Sequence, residues 1–291
     1  MPDTEIHLGS LTAWLLDCGC FRYDGGVIFG AVPRATWQQH YAPDADNRIS
    51  LGLRPLLIRD GDAWLLVNTG TLPGDPEFLF DPPGGRSVFE AMAGVGVRPD
   101  QVRSVILTHL HPDHAGGCLL DEGDGSIPAF PGASYVVQRE EAAAAYFPNE
   151  RTRADYEGMP LRALEAAEAL QLVAGSVALT NHVSLVPAPG HTPGHQCVRL
   201  ACDGQTALYL SDLAILPVQA EHLAWISALD THPMTSLESK RELLGRAFAE
   251  GTLLLFEHEP NPAMAIPARP RWMALALRSG PVGFAVRLPW R

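Results

Sequence analysis

His109, His111, Asp113 and His114 lie within six positions of one another in the stretch Thr108-His109-Leu110-His111-Pro112-Asp113-His114-Ala115-Gly116-Gly117. Neutral imidazole and carboxylate are donors suited to a borderline divalent cation such as zinc. A cluster without thiolate leaves such a metal a strong Lewis acid toward an oxygen ligand. The expected chemistry is therefore hydrolytic rather than structural. The stretch follows Val105-Ile106-Leu107, which reads as the end of a buried strand. On a nearly extended chain His109 and His111 point the same way, whereas a turn at Pro112 swings Asp113 and His114 toward a second point. One short loop can then serve two metal ions. The alternative, a run of solvated histidines, leaves the acid in this frame unaccounted for.

Further donors end other apolar runs. His191 lies in Pro189-Gly190-His191-Thr192-Pro193-Gly194-His195, Asp212 follows Ala207-Leu208-Tyr209-Leu210-Ser211, and His258 follows Leu253-Leu254-Leu255-Phe256-Glu257. In this order the motifs resemble those of the metallo-β-lactamase superfamily. The resemblance implies an α/β fold, a four-layer αββα sandwich with the ligands on loops at one edge. It also implies one metal on His109, His111 and His191, a second on Asp113, His114 and His258, and Asp212 bridging them. The metals implied are two divalent ions, zinc first, with iron, manganese or cobalt as alternatives. Two such ions can share one water and lower its pKa toward ~7, supplying hydroxide as nucleophile. The catalytic carboxylates would be Asp212, fixing the spacing of the ions, and Asp113, passing a proton to the leaving oxygen. There is no Gly-x-Ser-x-Gly elbow to suggest a serine nucleophile.

A looser likeness concerns the branch. Asp24-Gly25-Gly26, Phe29-Gly30, Asn47-Arg48-Ile49, Trp225, Asp230 and Glu238-Ser239-Lys240 resemble the lactonases and organophosphate hydrolases of the superfamily. The implied reaction is opening of a lactone, such as an N-acyl-homoserine lactone. Aryl esters and phosphotriesters are the alternative substrates, and a persulfide dioxygenase with a single iron on two His and one Asp is a further reading. The chain departs from the pattern twice. Asn68-Thr69-Gly70 stands where the superfamily has Asp-x-Gly, and an amide raises the basicity of a ligand imidazole less than a carboxylate does. Ile215 stands where acyl-homoserine lactonases carry a tyrosine that assists the substrate carbonyl. His195 is expected behind the ligands, and His7, His40, His182, His222 and His232 on the surface or in packing.

The elements that must hold these loops read as follows. Strands are expected over Thr12–Leu16, Arg54–Ile58, Ala63–Val67, Ser134–Gln138, Val183–Val186, Gln196–Ala201, Thr206–Leu210 and Thr252–Phe256, with hairpin turns at Asp60-Gly61 and Asp203-Gly204. Helices are expected over Ser87–Ala93 and Glu140–Phe147, and a further one opened by the capping box Thr235-Ser236-Leu237-Glu238 and stopped by Gly251. Residues 71–85 read as a loop, 140–172 as a helical insertion serving as lid, dimer contact or packing, and 271–291 as a helix and a last strand. Phe29, Trp37 and Tyr41 either shape a cleft or form local core, and Tyr146, Phe147 and Met159 are candidates for a pocket wall.

The 291 residues read as one domain, 1–291, and their net charge of -12 opposes attraction to nucleic acid. No window is apolar enough to span a membrane, and the amino terminus has no secretory pattern. The expectation is a cytoplasmic protein acting on a small molecule, with a homodimer as default. Cys18, Cys20, Cys118, Cys197 and Cys202 lack zinc-ribbon or redox spacing and are expected reduced, with Cys118 packed behind the metal loop.

Overall fold

In the computed structural model, residues 3–71, 79–80, 85–122, 125–261 and 264–265 are described. Two large sheets face one another. The first runs in the order Thr4–Leu8, Leu11–Leu15, Leu56–Asp60, Ala63–Val67, Val102–Ile106, Ser134–Gln138, Leu170–Val173. The second runs Val177–Ala178, Val183–Pro187, Gln196–Cys202, Gln205–Tyr209, Leu253–Leu255, Met264–Ala265.

Side-chain parity makes four layers from these two sheets. Successive residues of a strand point to opposite faces. Leu56, Ile58, Leu65, Val67 and Ile106 turn inward onto Val198, Leu200 and Tyr209 of the second sheet. Their neighbours Leu57, Leu66, Val105 and Leu107 turn outward beneath Val88–Val95 and the helical segment that follows Ser134–Gln138. On the far side Leu208, Leu210, Leu254 and Phe256 pack under Leu243, Leu244 and Ala247 of the helix Pro233–Glu250. Three apolar layers between four structural ones form the αββα sandwich expected from the motifs. Among the described residues no helix is long and apolar enough to cross a membrane.

Most elements lie where the periodicity predicts them, and the exceptions have local causes. The first hairpin pairs Asp60 with Ala63, so its turn is Gly61-Asp62 and not Asp60-Gly61. The second closes at Asp203-Gly204 as expected, both residues at positive φ, which suits the twist of the flanking strands. The long helix begins at Pro233 with His232 as its cap, two residues ahead of the Thr235–Glu238 box. Proline's fixed φ starts the helix there, and no side chain caps it. Gly251 ends it in the left-handed conformation. Arg54 is not strand: the strand begins at Leu56, and the buried guanidinium instead donates to the carbonyls of Glu259 and Pro260 and to Asp17. The 140–172 stretch is helical over Arg139–Tyr146 and Leu161–Ala166 but ends in Leu170–Val173, a strand paired parallel to Ser134–Gln138. Within 71–85, Leu79–Phe80 pairs with Cys20–Asp24. Residues 72–78 and 81–84 of that loop, and 271–291, lie outside the described residues.

Candidate metal centre

Four parallel strands, Ala63–Val67, Val102–Ile106, Ser134–Gln138 and Leu170–Val173, run one way through the first sheet, and Gln205–Tyr209 and Leu253–Leu255 are likewise parallel in the second. Asn68, the His109 loop, Asp212 and His258 each follow the carboxyl end of one of these strands. Such ends, where backbone groups splay and helices begin, are where open α/β sheets place ligands. Pro112 opens a single helical turn, Pro112–Ala115, with His111 as its cap. That turn carries Asp113 and His114 back toward the sheet edge.

Two donor groups result. One potential ligand atom from each of His109, His111 and His191 lies within 4.8 Å of the others, and the same holds for His114, Asp212, Glu257 and His258. In the first group His111 Nδ1 and His191 Nε2 are 3.1 Å apart. In the second, His258 Nε2 is 3.3 Å from His114 Nε2 and 3.0 Å from Asp212 Oδ1, and His114 Nε2 is 3.4 Å from the same oxygen. Two ligands ~2.1 Å from a tetrahedral zinc stand about 3.4 Å apart, so these separations fit a shared ion. Asp113 lies 3.4 Å from His114 Nε2 and 3.7 Å from His258 Nε2. Asp212 reaches both groups: Oδ1 turns to His114 and His258, Oδ2 to His191 at 3.2 Å. The structure thus gathers all seven expected residues at one edge.

Buried polar atoms mark the same place. Among the described residues His109 Nε2 is fully buried with no hydrogen-bond partner, an arrangement that costs free energy unless a cation takes the lone pair. His114, His191 and His258 turn one ring edge to the centre while the other edge is held. His191 Nδ1 faces Asp230 Oδ1 at 2.9 Å, and His258 Nδ1 faces the Gly52 carbonyl at 2.9 Å. Burial and the neighbouring imidazoles hold His109 well below the usual histidine range, and burial with His191 pushes His111 down to about 3. Against burial, Asp113, Glu257 and Asp212 hold His114 well above that range, and Asp212 and Asp113 lift His258 to about 9. Burial would raise Asp212, but His258, His191 and His114 hold it well below the carboxylate range. This donor set fits divalent cations, which supply the positive charge that its carboxylates otherwise draw onto imidazoles.

Three supporting carboxylates escaped the sequence pattern as a set. Glu141, read there only as part of a helix, is buried and accepts hydrogen bonds from Leu110 N (3.0 Å), Tyr156 Oη (3.0 Å), Thr192 Oγ1 (2.5 Å) and Gly194 N (3.2 Å). It joins the loop of His109 and His111 to the loop of His191. A Cβ at Gly194 would stand 2.1 Å from the Glu141 nitrogen, so only glycine allows that approach. Asp230, noted only for its resemblance to the lactonase branch, holds His191. Glu257 lies between Asn68, Ser211 and His114. Its one sequence signal was adjacency to His258. His195 supports from behind: Asp212 N donates to its Nε2 at 3.2 Å. Cys118 packs behind the loop 3.5 Å from Thr69 Oγ1, and all five cysteines are free.

A cavity of about 220 Å³ opens on the centre, lined by Phe21, Tyr23, Ile28, Leu51, His111, Pro112, Asp113, Ala154, Asp155, Asp212, Ile215, Leu229 and His258. Its aromatic wall comes from the strand Cys20–Asp24. Phe29, Trp37 and Tyr41 form local core instead, with Phe29 stacked on Trp37 at 5.1 Å. Tyr146, Phe147 and Met159 do not line this cavity, whereas Ala154 and Asp155 of the same 140–172 stretch do; Tyr146 and Phe147 line a separate, open pocket with Tyr156. His222 stacks on Trp225 away from the donor groups.

The sequence profile of the Metallo-beta-lactamase superfamily matches residues 55–256. A probable metallo-hydrolase of Mycobacterium tuberculosis is 28% identical over 56% of this chain and 57% of its own length. An N-acyl homoserine lactonase of Azorhizobium caulinodans is 29% identical over 57% of this chain and 62% of its own. The chain thus spans little more than half the length of these curated relatives. Among solved structures, a probable metal-dependent hydrolase from Staphylococcus aureus superposes with a TM-score of 0.79 at 25% identity, covering 87% of this chain and 91% of that one. AidC, described as a dizinc quorum-quenching lactonase, shares the fold with a TM-score of 0.72 at 20% identity, covering 91% and 93%. With the profile matched across more than half its length, this chain belongs to the metallo-β-lactamase superfamily.

Proposed function

We propose that this chain is a metal-dependent hydrolase with two divalent ions, one held by His109, His111 and His191 and the other by Asp113, His114 and His258, and that it opens a lactone ring. The observation that carries this reading is Asp212, whose two carboxylate oxygens face the two donor groups separately. When bound, such ions acidify a shared water and polarise the oxygen of the substrate. The chain's own residues do the rest. His195 and Ser211, through the Asp212 backbone and the Glu257 network, hold the bridging carboxylate in place. Asp113, on the cavity wall, takes up the proton of the attacking water and passes it to the departing oxygen. Tyr23 takes the role left open by Ile215: burial, with Asp113 and Asp155, keeps its phenol protonated and able to donate to a carbonyl.

The cavity favours an uncharged substrate. Asp155 adds a carboxylate beyond the two proposed as ligands, no lysine or arginine lines it among the described residues, and Phe21, Ile28, Leu51, Ile215 and Leu229 make an apolar wall. A lactone with an apolar chain meets these conditions, and the names of relatives such as the Azorhizobium caulinodans lactonase point to N-acyl homoserine lactones. Ile215 favours a second reading, an aryl ester or phosphotriester, whose activated leaving group needs less help from a phenol. The test is hydrolysis by the metal-loaded protein of an acyl-homoserine lactone, a γ-lactone, an aryl ester and a phosphotriester, beside His111→Ala and Asp212→Asn. Preferential lactone opening lost in both variants is expected. Turnover of only the aryl ester or phosphotriester would move the assignment to the second reading, and activity surviving both substitutions would sink the mechanism.

A further inference from the structure

His114 Nε2 faces the metal donors, so its Nδ1 must carry the proton and needs an acceptor. Two side chains reach Nδ1: Asn68 Nδ2 at 2.9 Å and Glu257 Oε2 at 3.0 Å. Asn68 cannot be the acceptor. Its Oδ1 is taken by Thr108, which donates from its backbone N (2.9 Å) and its hydroxyl (3.1 Å). That commitment points the amide nitrogen at Glu257, to which it donates at 2.8 Å. Ser211, beside Asp212, donates to the same oxygen at 3.1 Å. Glu257 is fully buried, and among the described residues its Oε1 has no hydrogen-bond partner. A buried carboxylate left in this state is costly unless positive charge lies close by.

We propose that Glu257 is the positioning residue of the second metal point: it accepts the Nδ1 proton of His114, and so turns Nε2 toward Asp113, Asp212 and His258. It supplies the negative charge that the Asn68 amide does not, from the strand end that also delivers His258. Glu257 lies within 4.8 Å of the donors of His114, Asp212 and His258, but its Oε2 meets the Nδ1 edge of the imidazole, opposite the edge that meets the others, and so acts on the ring through that oxygen and not as a ligand. The inference rests on the reading of His114 as a ligand. It also fixes a reciprocal relation. A carboxylate placed at the Asn68 nitrogen would reach His114 Nδ1 as well, but beside Glu257 it would put two carboxylate oxygens 2.8 Å apart, where they repel.

The test compares the full-length wild type with Glu257→Gln, Asn68→Asp and the double variant. It measures zinc affinity by chelator competition, and thermal stability. Glu257→Gln should weaken one of two zinc ions by about tenfold to a hundredfold and leave the other within about twofold. Asn68→Asp alone should lower Tm. The double variant should regain both Tm and zinc affinity to within about threefold of wild type. Rescue by a carboxylate moved to the other neighbour of Nδ1 is not expected of a residue that only fills space. Unchanged zinc binding in Glu257→Gln, or a double variant that stays as weak or fails to fold, would overturn the proposal. Activity separates it from the function proposed above: the expected zinc pattern with no ester or lactone turnover would defeat that function and leave this role standing. Turnover with zinc binding insensitive to Glu257→Gln would do the reverse.

Discussion

Asp212 and Tyr23 show how much chemistry single side chains carry here. The carboxylate of Asp212 is shared between the two donor groups, and its backbone nitrogen is tied to His195. Tyr23 contributes the phenol of the cavity, and its hydroxyl makes no hydrogen bond within the described residues. Removing that hydroxyl in Tyr23→Phe should lower kcat for lactone opening by about tenfold to a hundredfold with metal content unchanged, as measured by steady-state kinetics and metal analysis. A variant as active as wild type would reassign the carbonyl contact. At this scale the candidate ligands were legible in the sequence because four share one short loop and the others follow strands at a distance. Asn68 was legible as a departure, but its consequence was not, because Glu257 compensates from 189 residues away.

The loops behave as one unit because Glu141 ties them. This carboxylate reaches the loops of His109 and His191 from the helix Arg139–Tyr146, and burial raises its pKa against the hydrogen bonds it accepts. Glu141→Ala removes four acceptor contacts at once and leaves buried donors unsatisfied. It should lower stability by roughly 2–4 kcal/mol and weaken metal binding at His109, His111 and His191 first. Denaturant titration and metal competition check both, and a variant with native stability and affinity would show that the loops hold themselves. No local spacing marks such a residue: in sequence it is one acid in an alanine-rich helix. Other misread elements share that origin. The capping box at Thr235 was outcompeted by Pro233, and the end of the 140–172 stretch became strand because Ser134–Gln138 offered an open edge.

Across the whole molecule the sandwich was implied by the family that the metal-loop motifs resemble, and the strand parity of the structure sorts Leu56 and Ile58 into one layer and Leu57 into another. Long-range burial of charge was not legible in the sequence. Lys240, on the helix that covers the second sheet, is buried and donates to the Trp225 carbonyl at 2.7 Å. Burial, partly offset by Asp230, lowers its pKa from 10.5 to about 8. The unfolded chain then holds more protons than the folded one between pH 8 and about 10.5, so this group adds stability as pH rises through that window and has no slope below it. Lys240→Met should flatten the dependence of Tm on pH over that range, and an identical slope in both proteins would remove Lys240 as its source.

The measurement that bears most directly on the centre is the number of divalent ions per chain, by elemental analysis, in wild type, His111→Ala and His258→Ala. Two ions in wild type and one in each variant are expected, because the substitutions fall in different donor groups. A single ion in wild type, most pointedly one iron with no hydrolytic activity, would contradict the two-metal account.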